Sequence, residues 1–193
     1  MPGPTAASVA GVALLERAVA YALGSLHLVA ADDLARPTPC RGWDLRALLA
    51  HLDDSLLALT EALTEGEVGL DQVATGSADP VATLRARARG LLAAATAARH
   101  PPVVAVADRA LTCPILTSAG AIEITVHGWD VARACGRHHP VPPALADELL
   151  DLAPLLVTGA DRPGRFAPPV PVPPDAAPGE RLVAFLGRVP VGW

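Results

Sequence analysis

The sequence predicts an all-α protein built around four long helices. Hydrophobic residues make up 51% of the 193 positions, but aromatic residues only 3%, so most of the apolar content is Ala, Leu and Val. Ala and Leu favour helices, whereas a β-sandwich needs more aromatic and β-branched residues. Apolar residues also recur at helical spacing in segments bounded by start and stop signals. A chain of this length predicts one domain, with at most a small appendage.

The first two helices are separated by the breaker segment LARPTPCRGW. The first is predicted from about Thr5 to about Ala30. Asp44 is a good N-cap for the second, LRALLAHLDDSLLALTEAL, whose leucines repeat at 3.6-residue spacing. Gly66 supplies its C-terminal signal.

The third helix is predicted over about 80–98, with Ser77 or Asp79 as its cap and proline at its first position. The following VVAVA is either a short strand or an extended connection. A fourth helix is predicted from Thr117 or Ser118 to Cys135, where a glycine ends it, and a short fifth over about 143–157.

The C-terminal segment is irregular and rich in proline. Residues 1–160 are predicted to form the helical bundle. Residues 161–193 are predicted to form an extended tail, with one short helix in ERLVAFLGR, that packs on the same domain.

Charge and cysteine content exclude several classes of protein. The net charge is −5 and no basic stripe is interleaved with aromatic residues, so nucleic-acid binding is not expected. The three cysteines lie far apart, which is typical of a reducing compartment. The N-terminus lacks the basic region of a signal peptide, and the longest uncharged run, AVAYALGSLHLVAA, is too short to span a membrane. The sequence therefore predicts a cytoplasmic protein with no membrane partner.

The segment EITVHGWD in the fourth helix carries an unusual polar stripe. Glu123, His127 and Asp130 fall at i, i+4 and i+7, and so share one helix face. Apolar residues flank this stripe on both sides, which places it in the middle of the face expected to be buried. A buried carboxylate beside a buried imidazole is costly unless each has a partner, and a metal ion satisfies both.

His51 in the second helix is a candidate third ligand, because it lies at the edge of the leucine stripe and bundle cores build metal sites from facing helices. Two histidines and a glutamate suit Zn²⁺, with other divalent metals left open. Three protein ligands leave a coordination position free, as in catalytic sites. The alternative is a buried polar network or ion pair without metal.

Asp130 in the stripe, and three residues expected near it, allow more than one interpretation. Asp130 either orients a ligating histidine by accepting its second N–H or pairs with Arg133 or another arginine. Trp43 and Trp129 are predicted as core anchors near the site, although either could wall a ligand pocket. Cys40 is predicted to be a packing residue, because the sequence offers no base that would make it a nucleophile.

The segments TPCRGWDLRALLAHL and EITVHGWDVARACGR resemble the metal-binding DinB-like superfamily. More narrowly, they resemble the mycothiol-dependent maleylpyruvate isomerase N-terminal domain family. The tail RPGRFAPPVPVPPDAAPGERLVAFLGR resembles a compact actinobacterial subgroup of metal-binding proteins. The resemblance implies a DinB/YfiT-type four-helix bundle, with zinc held near one end by His51, Glu123 and His127.

The resemblance also implies a chemistry. In the family, the metal binds the thiol of mycothiol and lowers its pKa for attack on a small electrophile. This chain is therefore expected to be a thiol-dependent S-transferase or isomerase that acts on a small molecule, and a homodimer is consistent with the family. Activity on maleylpyruvate itself is not expected, because the tail replaces the second domain of that enzyme. The alternative function is a non-catalytic metal- or small-ligand-binding bundle that serves as a sensor, carrier or resistance protein.

Overall fold

The computed structural model describes residues 6–69, 77–97, 100–106, 109–160, 162 and 165–190. The helices in this part of the chain are α1 (Ala6–Leu26), α2 (Leu45–Glu65), α3 (Pro80–Ala95), α4 (Cys113–Ala134), α5 (Pro143–Leu156) and α6 (Pro178–Phe185). The strands are β1 (Glu67–Val68), β2 (Val103–Val106) and β3 (Arg109–Thr112). The predicted, mostly helical class is confirmed, and VVAVA supplies a strand.

The strands form a small sheet in the order β1-β2-β3, with β1 parallel and β3 antiparallel to β2. The sheet packs against α2 and α4. In the larger part of the fold, α1 packs along α4, and α2 packs against both α3 and α4. One hydrophobic core joins these four helices, and α5 and α6 pack together beside them.

The start of α2 confirms its sequence signals. The Ala47 amide donates to the Asp44 carboxylate at 2.8 Å, and Gly66 ends the helix with a left-handed φ of +82°. This cap fixes where α2 begins, and it therefore fixes the position of His51 on the second turn of the helix.

Three helix boundaries differ from the prediction, and one of them is the end of α3, which lies at Ala95 instead of about residue 98. The first helix ends at Leu26 instead of about Ala30, because the amides of His27 and Leu28 turn back to the carbonyls three residues before them. The fourth begins at Cys113 instead of Thr117 or Ser118. The Thr117 hydroxyl bonds the Cys113 carbonyl at 3.0 Å, so Thr117 lies inside the helix and is not its cap.

Helix α4 is the central helix of the fold. A Cβ atom on Gly120 would lie 2.8 Å from the methyl groups of Leu59 in α2, and one on Gly128 would lie 3.1 Å from the backbone of Ala22 in α1. These glycines allow both neighbouring helices to approach closely. Because α1 covers the side of α4 opposite the polar stripe, Thr125 on that side is buried as well. The stripe therefore belongs to a helix that is enclosed on nearly every side.

Helix α1 contains a segment, Val9–Leu26, that is long and apolar enough to cross a membrane by length and composition alone. In the structure, 44% of this segment is buried inside the protein. Its buried positions, which include Leu15 and Val19, belong to the common hydrophobic core. Packing against α4 thus accounts for the buried part of this apolar content.

The C-terminal segment contacts the other helices of the fold at the end of α6. Gly187 has a φ of +82°, and its amide bonds the Ala184 carbonyl while the Arg188 amide bonds that of Val183. These two hydrogen bonds define a Schellman turn. A Cβ atom on Gly187 would lie 2.6 Å from the Ala167 carbonyl oxygen, so only glycine fits there. The turn directs Arg188 into the protein.

Candidate metal centre

Three side chains from two facing helices converge on one point. His51 Nε2 lies 2.7 Å from Glu123 Oε1, and His127 Nε2 lies 3.1 Å from the same oxygen atom. His51 belongs to α2, whereas Glu123 and His127 lie one turn apart on α4. The structure thus brings together the three residues singled out in the sequence.

The site is open to solvent on one side. The His51 and Glu123 side chains are 35% and 29% exposed, whereas His127 is buried. Ser55, one turn after His51 on α2, places its hydroxyl 3.5 Å from Glu123 Oε1. A small molecule could therefore approach the three side chains from the exposed edge formed by His51 and Glu123. His127 lies buried beneath that edge.

Asp130 lies behind His127. The Nδ1 atom of His127 is 3.0 Å from Asp130 Oδ2, and the Asp130 side chain is fully buried. An imidazole that donates its Nδ1–H to a carboxylate keeps its Nε2 atom oriented toward the opposite side, where a metal would bind. The first of the two interpretations of Asp130 therefore agrees with the geometry.

The second interpretation, an ion pair, also applies to Asp130, but its partner comes from the tail. Arg188 Nη2 lies 2.9 Å from Asp130 Oδ2, and Arg188 Nε lies 3.4 Å from Oδ1. Arg188 also donates to the Leu186 carbonyl at 2.9 Å. The guanidinium of Arg133, the partner considered from the sequence, lies 5.2 Å from the centre of the Trp129 ring.

Sequence reasoning missed Arg188, which is separated from Asp130 by 58 residues. The only available signal was the LGR that ends ERLVAFLGR, since a glycine after a helix predicts a turn at that point. The direction in which this turn sends Arg188 depends on the path of the tail, which the local pattern does not contain.

The neighbouring charges shift the pKa values of four groups in the cluster, which are Glu123, His127, Asp130 and Arg188. Burial alone would raise the pKa of Glu123, but hydrogen bonds from His127 and His51 outweigh it and hold this pKa far below its usual range. Burial would lower the pKa of His127, but hydrogen bonds with Asp130, Cys40 and Glu123 raise it well above 6.5. In the absence of metal, these contacts therefore favour the imidazolium form of His127, which lies between two carboxylates.

The pKa values of Asp130 and Arg188 are also shifted toward the charged form of each group. Burial opposes the charge of Asp130, but the positive charge of Arg188 and the His127 hydrogen bond lower the Asp130 pKa. The pKa of Arg188 is raised, because the nearby Asp130 charge outweighs the effect of burial. Each ionised group thus depends on its neighbour, as buried charges in proteins generally do.

Cys40 contacts the same cluster from the loop before α2. Its sulfur lies 3.3 Å from Asp130 Oδ2, 3.8 Å from His127 Nδ1 and 3.5 Å from Arg188 Nη2. Cys40 is only partly buried. The predicted packing role is therefore incomplete, because the thiol takes part in the hydrogen bonding behind His127.

Trp43 walls the open side of the site. Its ring centre lies 4.9 Å from that of His51 and 6.5 Å from that of His127. The side chain is 37% exposed, so the prediction of a core anchor is wrong for Trp43, whereas Trp129 is buried. Hydrogen bonds of Thr38 and Cys40 with the Trp43 backbone hold the loop in place.

The donor set fits a zinc ion. The candidate ligand atoms of His51, Glu123 and His127 all lie within 4.8 Å of one another. Two imidazole nitrogens and a carboxylate oxygen are common zinc ligands, and ligand atoms on one tetrahedral ion lie about 3.3 Å apart. The observed N···O distances of 2.7 and 3.1 Å are slightly shorter, as expected for hydrogen bonds at a position where a metal would replace protons.

The fold and the site together define a DinB-like helical domain with a group of possible metal-binding residues. The mycothiol maleylpyruvate isomerase N-terminal domain family matches residues 15–132, and the chain belongs to this family. This match includes His51, Glu123, His127 and Asp130, but not Arg188.

Two relatives share the same degree of similarity. They are uncharacterized proteins of Mycobacterium tuberculosis, one from strain CDC 1551 / Oshkosh and one from strain ATCC 25618 / H37Rv. Each is 33% identical over 179 residues, which covers 83% of this chain and 87% of the relative. No solved structure matches the chain.

Proposed function

We propose that this protein binds a divalent metal, in the first place zinc, and uses it in a thiol-dependent transfer or isomerisation on a small electrophile. The proposed ligands are His51, Glu123 and His127, and the proposed thiol is mycothiol. The observation that carries the proposal is the convergence of both histidine Nε2 atoms on the single oxygen Glu123 Oε1. The family membership supplies the class of thiol.

Each residue of the proposed site would have its own role. His51, Glu123 and His127 would hold the ion, and Asp130 would orient His127 through its Nδ1–H. Trp43 would shield one side of the coordination position that the protein leaves free. A substrate would reach this position from the other side, along the exposed edge of His51 and Glu123. Zinc bound there would act as a Lewis acid and lower the pKa of a coordinating thiol, so that the thiolate would be available at neutral pH.

The open edge favours a catalytic centre over a structural one. A structural zinc site is closed by four protein ligands, whereas catalytic sites keep a position for water or substrate. Here two of the three proposed ligands, His51 and Glu123, remain about one-third exposed. A thiol and a small electrophile would therefore meet at the edge that Trp43 borders.

A non-catalytic function is the second candidate, and one observation favours it. Glu123 accepts hydrogen bonds from both histidines, and His127 and Arg188 in turn satisfy Asp130, so the network is complete without an ion. Such a bundle could bind metal or a small ligand reversibly, as a sensor, carrier or resistance protein does.

The test that separates these functions uses Co²⁺ in place of zinc. Mycothiol or cysteine, added to the Co²⁺ protein, should produce a sulfur-to-cobalt charge-transfer band. Serine, which has oxygen in place of the cysteine sulfur, should not. Binding of Co²⁺ without any response to thiols would favour the carrier or sensor. Failure to bind Co²⁺ or zinc at all would remove the metal centre and the proposed activity with it.

A further inference from the structure

The tail reaches the candidate site through a single side chain. Arg188 is the residue that follows the Schellman turn at the end of α6, and its guanidinium is buried against Asp130. Asp130 in turn holds His127 Nδ1 at 3.0 Å. Arg188, Asp130 and His127 thus form a series of contacts between two distant parts of the chain. The series ends where His127 Nε2 meets Glu123 Oε1.

We infer that Arg188 is a positioning residue of the metal centre, which it serves through Asp130. The inference rests on the proposed metal-binding function and deepens it: the tail is part of the site, and metal affinity depends on the contact between Arg188 and Asp130.

The geometry of the contact requires arginine. Nη2 bonds Asp130 Oδ2 at 2.9 Å, Nε lies 3.4 Å from Oδ1, and Nη1 bonds the Leu186 carbonyl at 2.9 Å. The planar guanidinium forms these contacts in one fixed arrangement, whereas a lysine ammonium would supply only a point charge. The carboxylate is therefore fixed in orientation as well as neutralised.

The orientation matters because Asp130 Oδ2 serves two cationic partners. The same oxygen receives the Arg188 Nη2 hydrogen bond and the His127 Nδ1 hydrogen bond. If Arg188 is removed, the buried Asp130 carboxylate keeps its contacts with His127 and Cys40 but loses its arginine partner, and it can relieve the cost by taking a proton or by rotating away. Either response weakens the hold on His127 and leaves its Nε2 atom less well directed toward Glu123.

The test measures zinc affinity, by competition with a chromophoric chelator, in Arg188→Gln, Arg188→Lys and Asp130→Asn. Replacing the groups behind a metal ligand typically weakens metal binding by about 10- to 100-fold. We expect a loss of this size for Arg188→Gln and a smaller loss for Arg188→Lys. The matched control is Arg17→Gln, since Arg17 pairs with Glu148 on the surface, between α1 and α5 and away from the site; its zinc affinity should stay within about twofold of the wild type.

A double-mutant comparison separates this role from a general loss of stability. Because Arg188 acts through Asp130, adding Arg188→Gln to Asp130→Asn should weaken zinc binding by less than about threefold beyond the single variant. A loss as large as in the wild-type background would overturn the inference. If Arg188→Gln alone does not fold, Arg188→Lys against the wild type and the double variant against Asp130→Asn decide the question.

The possible failures can be told apart. A wild-type protein that binds no zinc would overturn the metal centre and the inference together. A wild-type protein that binds zinc, with equal affinity in a folded Arg188→Gln variant, would overturn the inference alone.

Discussion

His51 Nε2 and Glu123 Oε1 lie 2.7 Å apart, although 72 residues separate them in the chain. The contact joins the second turn of α2 to the middle of α4, and His127 Nε2 meets the same oxygen from one turn farther along. The proposed chemistry depends on this contact. The contact in turn requires both the capped start of α2 and the close approach of α2 to α4 at Gly120.

Glu123→Gln should abolish tight zinc binding. The substitution keeps the size of the side chain but removes the charge that pairs with both histidines, and an amide is a poor zinc ligand. The expected loss of affinity is about 100-fold or more, because changes behind a ligand alone already cost about 10- to 100-fold. Chelator competition measures it, and Glu148→Gln, which removes an exposed carboxylate paired with Arg17, is the matched control. Equal zinc affinity in both variants would exclude Glu123 as a ligand.

Zinc binding should release protons and weaken as the pH falls. Although burial alone would lower the pKa of His127, its hydrogen bonds raise this pKa well above 6.5, so the metal-free imidazole is protonated at neutral pH. A metal ion must displace the proton on Nε2, and affinity falls by about tenfold per pH unit for each proton displaced.

Isothermal titration calorimetry in two buffers of different ionisation enthalpy counts the protons released. A binding enthalpy independent of the buffer, together with a flat affinity between neutral and mildly acidic pH, would show that His127 is already neutral or takes no part.

Trp43 should report metal binding by fluorescence. Its ring centre lies 4.9 Å from that of His51, so a charge bound to the histidine changes the environment of the indole. Zinc should alter the tryptophan emission of the wild-type protein, and Trp43→Phe should lose most of that change. Trp129→Phe is the control, because Trp129 is buried elsewhere on α4. A full response in Trp43→Phe would place the bound metal away from this wall.

Gly187→Ala should destabilise the tail and weaken zinc binding at once. An alanine at φ +82° lies in the left-handed region, and its Cβ would also press on the Ala167 carbonyl. The expected cost is about 2 kcal/mol or more in the free energy of unfolding of the tail. Because Arg188 follows directly, zinc affinity should fall as well.

The control for this variant is Gly90→Ala in the exposed part of α3, where a Cβ atom meets nothing within 4 Å. That substitution should stabilise the protein by about 0.5–1 kcal/mol and leave zinc affinity unchanged. Denaturant unfolding with a probe in the tail, together with chelator competition, measures both effects. Undiminished zinc affinity in a destabilised Gly187→Ala variant would separate the tail from the site.

The sequence predicted the parts of this structure that depend on local signals. Asp44 and Gly66 bound α2 as expected, since a cap and a left-handed glycine act within a few residues. The stripe of Glu123, His127 and Asp130 followed from helical spacing alone. The boundary between the bundle and the tail at residue 160 stays a prediction, as does a homodimer.

The parts that failed depend on distant contacts. Trp43 was predicted in the first place as a core anchor, but its loop holds it at the open side of the site, which agrees with the alternative that it walls a pocket. Arg188 could not be assigned to Asp130, because the partnership joins residues 58 positions apart and depends on the path of the tail before α6. Thr117 was a good cap by residue type, but Pro114 allows the helix to begin earlier.

The most direct test of the account is the metal content of untagged protein, measured by plasma mass spectrometry after purification and after reconstitution with zinc. The account predicts close to one divalent ion per chain in the wild type and little in His51→Ala, Glu123→Ala and His127→Ala. Absence of metal from the reconstituted wild type, or equal metal content in all three variants, would contradict it and leave the cluster as a buried hydrogen-bond network.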